Sequence, residues 1–115
     1  MAIEVAARTA EMFLDRKGYE VLGLAGEPED WCLVARDGDG ELAFVAVDFR
    51  ADSSAGFPEE NLGKGVRRRM ERLSMAWLAE REAPDGRIRF DTLAIVALDG
   101  RRFFVRHRID AFCLG

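Results

Sequence analysis

Cysteine, histidine and proline are scarce in this chain of 115 residues, which holds two, one and three of them respectively. Cys32, Cys113 and the lone His107 cannot be sorted into the paired spacings of a structural zinc site. Two cysteines also exclude the dense disulfide framework of a small secreted scaffold. A Cys32–Cys113 disulfide is the alternative to two reduced thiols, and we read them as the reduced thiols of a cytoplasmic protein. No apolar run approaches the roughly 20 residues a membrane helix needs, so no membrane partner is expected. Residues 1–8 contain Glu4 and lack a basic segment leading into an apolar block, so no secretory signal is expected. A basic surplus is missing too: 17 Lys and Arg face 21 Asp and Glu, for a net charge of −4. That weighs against wrapping nucleic acid by bulk electrostatics, although local basic patches can exist on an acidic protein.

What is present is a normal globular balance, with 49% hydrophobic and 33% charged residues. The length suits one hydrophobic core, and neither a repeat nor a linker interrupts it, so residues 1–115 are expected to form a single domain. Ile3, Ala6, Ala7, Ala10, Phe13 and Leu14 recur at spacings of three and four, which predicts an amphipathic helix stopped by Lys17-Gly18. Residues 19–24 read as a strand, 25–30 as a turn or loop around Gly26 and Pro28, and 31–36 as a second strand. Asp37-Gly38-Asp39-Gly40 is a hairpin turn signal, followed by a third strand over 41–49. The centre of that strand, 42–47, is apolar at every position, as expected of a strand buried on both faces.

Residues 50–65 are rich in Ser, Gly, Asp and Glu, with room for a helical turn near 58–62. Val66, Met70, Leu73 and Trp77 mark a second amphipathic helix, broken by Pro84-Asp85-Gly86. Residues 88–98 and 101–108 then read as two strands joined by an Asp99-Gly100 turn. The expected fold class is therefore α/β, with the order αβββαββ: a mixed sheet of about five strands flanked by two main helices.

In that order, the residues resemble the uncharacterised bacterial YraN family, a branch of the restriction-endonuclease-like PD-(D/E)XK superfamily related to Holliday-junction resolvases. Phe13-Leu14 through Gly18-Tyr19 resembles the family's YLxxxGY helix end, and Leu33-Val34-Ala35-Arg36-Asp37-Gly38 its LxARDG strand and turn. Phe44-Val45-Ala46-Val47 lies on its FVEVK strand, and Gly56 and Pro58 fit a loop of the family. Arg68-Arg69 and Trp77-Leu78 fit its second helix, Arg89-Phe90-Asp91 with Ile95 its RFDxxAI strand, and Ile109 to Phe112 its IxxAF ending.

The resemblance implies a nuclease site in which carboxylates of neighbouring strands hold a divalent metal beside a lysine. At the matching positions the residues differ. The metal-binding aspartate falls on Cys32, the second acid on Ala46, the lysine on Asp48 and a helix glutamate on Ala7. The lysine that opens the family's second helix falls on Val66, with Lys64 close by. Alanine cannot bind a metal, and aspartate cannot replace a cation. The resemblance thus implies a catalytically inactive descendant with no catalytic residue and no cofactor, the former site being marked by Ala7, Asp30, Cys32, Ala46 and Asp48. Alternation places Asp30, Cys32, Ala46 and Asp48 on one side of the sheet. The alternative is a rearranged site, in which Asp30, Asp48 and Glu11 converge on Mg²⁺ or Mn²⁺.

Arg67, Arg68, Arg69 and Arg72 form the densest basic cluster, with Arg68 and Arg72 expected to face solvent. Arg67, Arg68 and Arg72 are candidate phosphate contacts; an ordinary charged face, interrupted by Glu71, is the simpler reading. A second basic group, Arg101 to Arg108, falls on the last strand, where Phe103 and Val105 are expected to face the core and the arginines to guard a sheet edge. Trp31 and Trp77 read as core residues, and His107, with no acidic orienter in its neighbourhood of the sequence, is not expected to belong to a catalytic triad. The expected function is a nuclease-fold module that binds nucleic acid, by family analogy, or a protein. The alternatives are a metal-dependent nuclease with rearranged carboxylates and a structural domain that forms a homodimer through its edge strands.

Overall fold

The computed structural model describes residues 2–50, 64–81, 87–99 and 101–112. Its elements are α1 (Ala2–Arg16), β1 (Glu20–Glu27), β2 (Asp30–Arg36), β3 (Leu42–Arg50), α2 (Lys64–Ala79), β4 (Ile88–Ala97) and β5 (Phe103–Phe112). The expected order αβββαββ is therefore the observed one. The five strands form one mixed sheet in sequence order, β1-β2-β3-β4-β5. All neighbours are antiparallel except β3 and β4, which run parallel because the chain segment containing α2 separates them.

The two helices cover opposite faces. Ala10 and Leu14 of α1 pack on Leu33, Ala35, Ala43, Val45, Leu93 and Ile95. Met70 and Leu73 of α2 pack on Ala25, Cys32, Val34, Phe44 and Ala46. Neighbouring residues of β2 and β3 alternate between these two clusters, which explains the unbroken apolar run over Leu42–Val47: both faces are buried. Trp31 and Trp77 are half-buried, one against each cluster, and Trp77 meets Phe44 edge-on at 5.8 Å. Helix α1 stops where expected. Gly18 takes φ +89°, and the Gly18 and Tyr19 amides donate to the carbonyls of Asp15 and Leu14, each at 3.0 Å.

Three local expectations are corrected. Residues 25–30 are not a loop: β1 continues to Glu27, which pairs with Asp30, and only Pro28 and Glu29 turn. Gly26 permits this. At its φ of +103°, a Cβ would lie 2.1 Å from the Asp30 carbonyl oxygen and 2.7 Å from Leu73 Cδ2, so the strand passes beneath α2 only without a side chain there. The last strand is also displaced, starting at Phe103 rather than 101 and running on to Phe112. Asp99 delays its start by accepting the Arg101 and Arg102 amides at 3.0 and 3.1 Å. An irregularity opposite Phe90 to Thr92, with Asp110 at φ 56°, then lets the ladder resume at Phe90–Phe112. Finally, Phe103 does not reach the core. It remains 39% exposed and leans on Phe49, because α1 packs over the inner strands and leaves the β5 edge open. The helical turn expected near 58–62, the break at 84–86, Gly56, Pro58 and Cys113 lie outside the described residues.

Replacing Gly26 by alanine combines a disfavoured φ with backbone overlap. Gly26→Ala is expected to lower unfolding stability by about 2–4 kcal/mol. Gly38→Ala, where a Cβ meets nothing within 4 Å, is the matched control in a urea titration and is expected to change much less.

Candidate functional site

The positions that the sequence marks as a former nuclease site divide between the two faces. Cys32 and Ala46 lie side by side in the cluster under α2, closed over by Met70 and Leu73. Cys32 is fully buried, and that burial pushes its thiol up to about 12, so it stays protonated at neutral pH. Ala46 offers no ligand atom. Asp30 opens β2 at the rim of this cluster, where Arg72 holds its Oδ2 at 2.5 Å and Arg69 Nε stands 3.8 Å from its Oδ1. Asp48, two residues beyond Ala46, is exposed. Ala7 and Glu11 belong to α1, whose packing residues meet the opposite face of the sheet.

Asp30, Cys32 and Ala46 are thus brought together, whereas Glu11 does not converge with Asp30 and Asp48. Among the described residues, no three His, Cys, Asp or Glu side chains gather into a metal-binding group. A neutral thiol, a methyl group and a carboxylate already engaged by arginine do not fit a divalent cation, which requires several free anionic oxygens.

The arginines of α2 also separate. Arg68 is exposed; Arg67 is exposed as well and lies 6.0 Å from the Phe112 ring centroid. Arg72 faces solvent as expected, at 60% exposed, and is also tied to Asp30.

A buried polar constellation on the α1 face escaped the sequence reading. Arg89, with its side chain only 5% exposed, grips fully buried Asp91 with two parallel hydrogen bonds of 3.0 and 3.1 Å. The same guanidinium reaches Asp37 Oδ2 at 2.5 Å, Glu41 Oε1 at 3.2 Å and the Tyr19 hydroxyl. The Asp110 amide donates to Asp91 Oδ1 at 2.9 Å, and His107 Nε2 lies 2.8 Å from Asp91 Oδ2. His107 therefore has an acidic partner after all. It pairs with Leu93, and the same-face diagonal neighbour on β4 is Asp91. Its other nitrogen, Nδ1, lies 3.0 Å from Lys17 Nζ. A lysine ammonium can only donate, so Nδ1 accepts and the Nε2 proton points to Asp91. With both ring nitrogens so occupied, His107 acts as a link in a structural network. The available signal was Arg89-x-Asp91: opposite charges two apart, hence on one face, inside a largely apolar strand.

Burial alone would raise the Asp91 pKa, but His107, Arg89 and the Asp110 amide outweigh it and hold the carboxyl below its ordinary 3.8. Asp37 behaves alike: burial raises it, while the Glu41 amide, Arg89 and the Asp39 amide bring it down. Arg89 loses some preference for its charge through burial and regains more from Asp91, so it remains a cation.

A mixed five-stranded sheet with one helix on each face in the order αβββαββ is consistent with a restriction-endonuclease-like fold. Within that class, the model of the uncharacterised protein family UPF0102, the YraN family, matches residues 6–95, and the chain belongs to this family. A UPF0102 protein of Pelobacter propionicus is 32% identical over 106 residues, covering 90% of this chain and 76% of that relative. One from Trichlorobacter lovleyi is 27% identical over 116 residues, covering 96% and 89%. One from Anaeromyxobacter is 35% identical over 92 residues, covering 78% and 68%.

Two outcomes follow from the buried network. Asp91→Ala leaves the Nε side of a buried guanidinium without its acceptor and is expected to cost about 3–5 kcal/mol, measured by urea unfolding at pH 7. The depressed carboxyls also set an acid limit. Their pairing contributes fully above the ordinary carboxylate value and is lost as pH falls below about 3.8 through the lowered native values. The urea midpoint should therefore drop steeply below pH 4 in the native chain and more gently in Asp91→Asn.

Proposed function

We propose that this chain is a non-catalytic nuclease-fold module that binds nucleic acid through the arginines of α2. The observation that carries this is the apolar packing of Cys32 and Ala46 beneath Met70 and Leu73, at the positions where the family resemblance places metal-binding acids. Asp48 stands where that resemblance places a lysine, so the cation that would stabilise a transition state is replaced by an anion. Arg67, Arg68 and Arg72 line the exposed side of α2, where they can contact phosphates without reading bases. The net charge of −4 keeps such binding weak. Cys32, a free buried thiol, suits the reducing cytoplasm.

A second reading, a homodimer through sheet edges, is favoured by β5: it ends the sheet and carries exposed Phe103 and Ile109. Sedimentation equilibrium distinguishes it, because the module reading requires no dimer.

The decisive experiment combines calorimetric titration with Mg²⁺ and Mn²⁺ and incubation with single-stranded, duplex and four-way-junction DNA. We expect neither metal binding nor cleavage, together with salt-sensitive DNA binding. Changing Arg67, Arg68 and Arg72 to alanine should weaken binding on all sequences alike. The slope of log affinity against log salt should fall by about 0.7–0.9 for each phosphate contact removed. Metal binding and cleavage that both vanish in Asp30→Ala/Asp48→Ala would overturn the non-catalytic reading.

A further inference from the structure

On the face opposite the α2 arginines, a groove of about 400 Å³ runs between α1 and the start of β5. The helix contributes Thr9, Met12, Phe13 and Arg16; the strand side contributes Arg101, Phe103 and Val105. Thr9, Met12, Phe13 and Arg16 recur at spacings of three and four, so they form one flank of α1 beside its buried Ala6-Ala10-Leu14 stripe. The groove exists because that stripe seats α1 over the inner strands, leaving the α1-side face of edge strand β5 without a helix above it.

Its chemistry is of two kinds. Met12, 50% exposed, and the half-open ring of Phe103 offer apolar, polarisable walls, with Phe13 and Val105 partly buried between them. Arg16 and Arg101 are exposed, and neither forms an ion pair among the described residues. Asp99, the nearest acid in sequence to Arg101, spends its carboxylate on the Arg101 and Arg102 amides and the Arg102 guanidinium. A second cavity of about 380 Å³, between α2 and β4, shows the contrast. Its Arg87 is held by Glu41 and Asp110, and its Arg89 by Asp37 and Asp91, so no cation there is left for a ligand.

The geometry points to a nucleotide-binding groove, with a base lying against Phe103 and Met12 and its phosphate received by Arg16 and Arg101. Guanidinium forks match phosphate oxygens two by two, and every base presents a π-face to an aromatic platform. The volume lies within the usual range for small-ligand clefts. An open trough with aromatic walls suits a flat ring better than an acyl chain, which requires an enclosed apolar tunnel. The Thr9 hydroxyl provides a polar contact on the helix wall. This site is independent of the α2 surface and lies on the other side of the sheet.

The test is a titration of isotopically labelled protein, followed by amide chemical shifts, with adenosine monophosphate, adenosine, inorganic phosphate and a short oligodeoxyadenylate. The expected result is saturable movement at Met12, Phe13, Phe103 and Val105 with the monophosphate, and much weaker movement with adenosine or phosphate alone. Arg16→Glu/Arg101→Glu should weaken binding about tenfold or more, with a dispersed spectrum reporting an intact fold. Arg81→Ala, which removes an exposed arginine given no binding role, should leave it unchanged. An oligonucleotide that binds more tightly than the monophosphate would identify a strand as the source of the nucleotide; equal affinity would identify a free nucleotide. Shifts that bypass the groove, binding indifferent to the two arginines, or adenosine binding as tightly as its monophosphate would overturn the proposal. Loss of DNA binding in the α2 variants with the groove response intact would concern the α2 reading alone.

Discussion

The buried Arg89 guanidinium is the constraint on which the rest of the structure depends. It lies between the 37–41 turn, the end of the α1 segment at Tyr19, and Asp91 of its own strand, while Asp91 in turn holds β5 through His107 and the Asp110 amide. Four separate stretches of chain therefore converge on one ion pair. A buried ion pair is seldom a large net source of stability, because removing two charges from water costs several kcal/mol per ion before any attraction is counted. What it supplies here is registry. An apolar strand such as β4 could slide along β3 with little loss of burial, but a two-residue slip would carry the Arg89–Asp91 pair away from Asp37 and Glu41 and leave part of the guanidinium without acceptors in the interior.

The same constellation explains why the two faces of the sheet differ. All of its members sit on the α1 face at the end of the sheet near Tyr19, and the Arg89 and His107 donors find acceptors within it. The α2 face is built the other way, from Cys32, Val34, Phe44, Ala46, Met70 and Leu73 in apolar contact, with its charges displaced to the rim at Asp30, Arg69 and Arg72. Ions inside one face and at the edge of the other leave the residues exposed on the helices as the surfaces available for recognition.

Much of this was legible in the residues themselves. Period-three-and-four spacing marked α1 and α2, the Asp37-Gly38-Asp39-Gly40 turn marked the β2–β3 hairpin, and continuous apolarity marked β3 as central. What stayed hidden depended on partners distant in the chain. The left-handed Asp110 is held by the Asp91 carboxylate 19 residues away, so no local rule extends β5 past residue 108. His107 looked isolated because its acid lies on the neighbouring strand, and nothing local marked Arg89 and Asp91 as a buried pair, because burial of a pair is decided by the tertiary structure. Phe103 misled in the opposite direction: alternation gives its face of the sheet correctly, but not whether a helix covers that face. Of the candidate site, the sheet face of Cys32 and Ala46 was readable from alternation, while the capture of Asp30 by Arg72 needed the packing angle of α2.

On the non-catalytic reading, the residues at the former site belong together physically. A carboxylate at position 32, fully enclosed by Met70, Leu73 and Phe44, would be tolerated only with a metal or a cation beside it. Once position 46 is alanine, the metal has lost a ligand, and an acid at 32 becomes a buried, unpaired charge that folding disfavours by several kcal/mol. Cysteine removes that charge and fills the space as a small hydrophobe. Without anions or a metal to work beside, a lysine at position 48 has no electrostatic role, and the exposed end of β3 accepts aspartate freely. Loss of one ligand thus removes the selection that kept the others, so Cys32, Ala46 and Asp48 are the arrangement expected when a fold outlives its site.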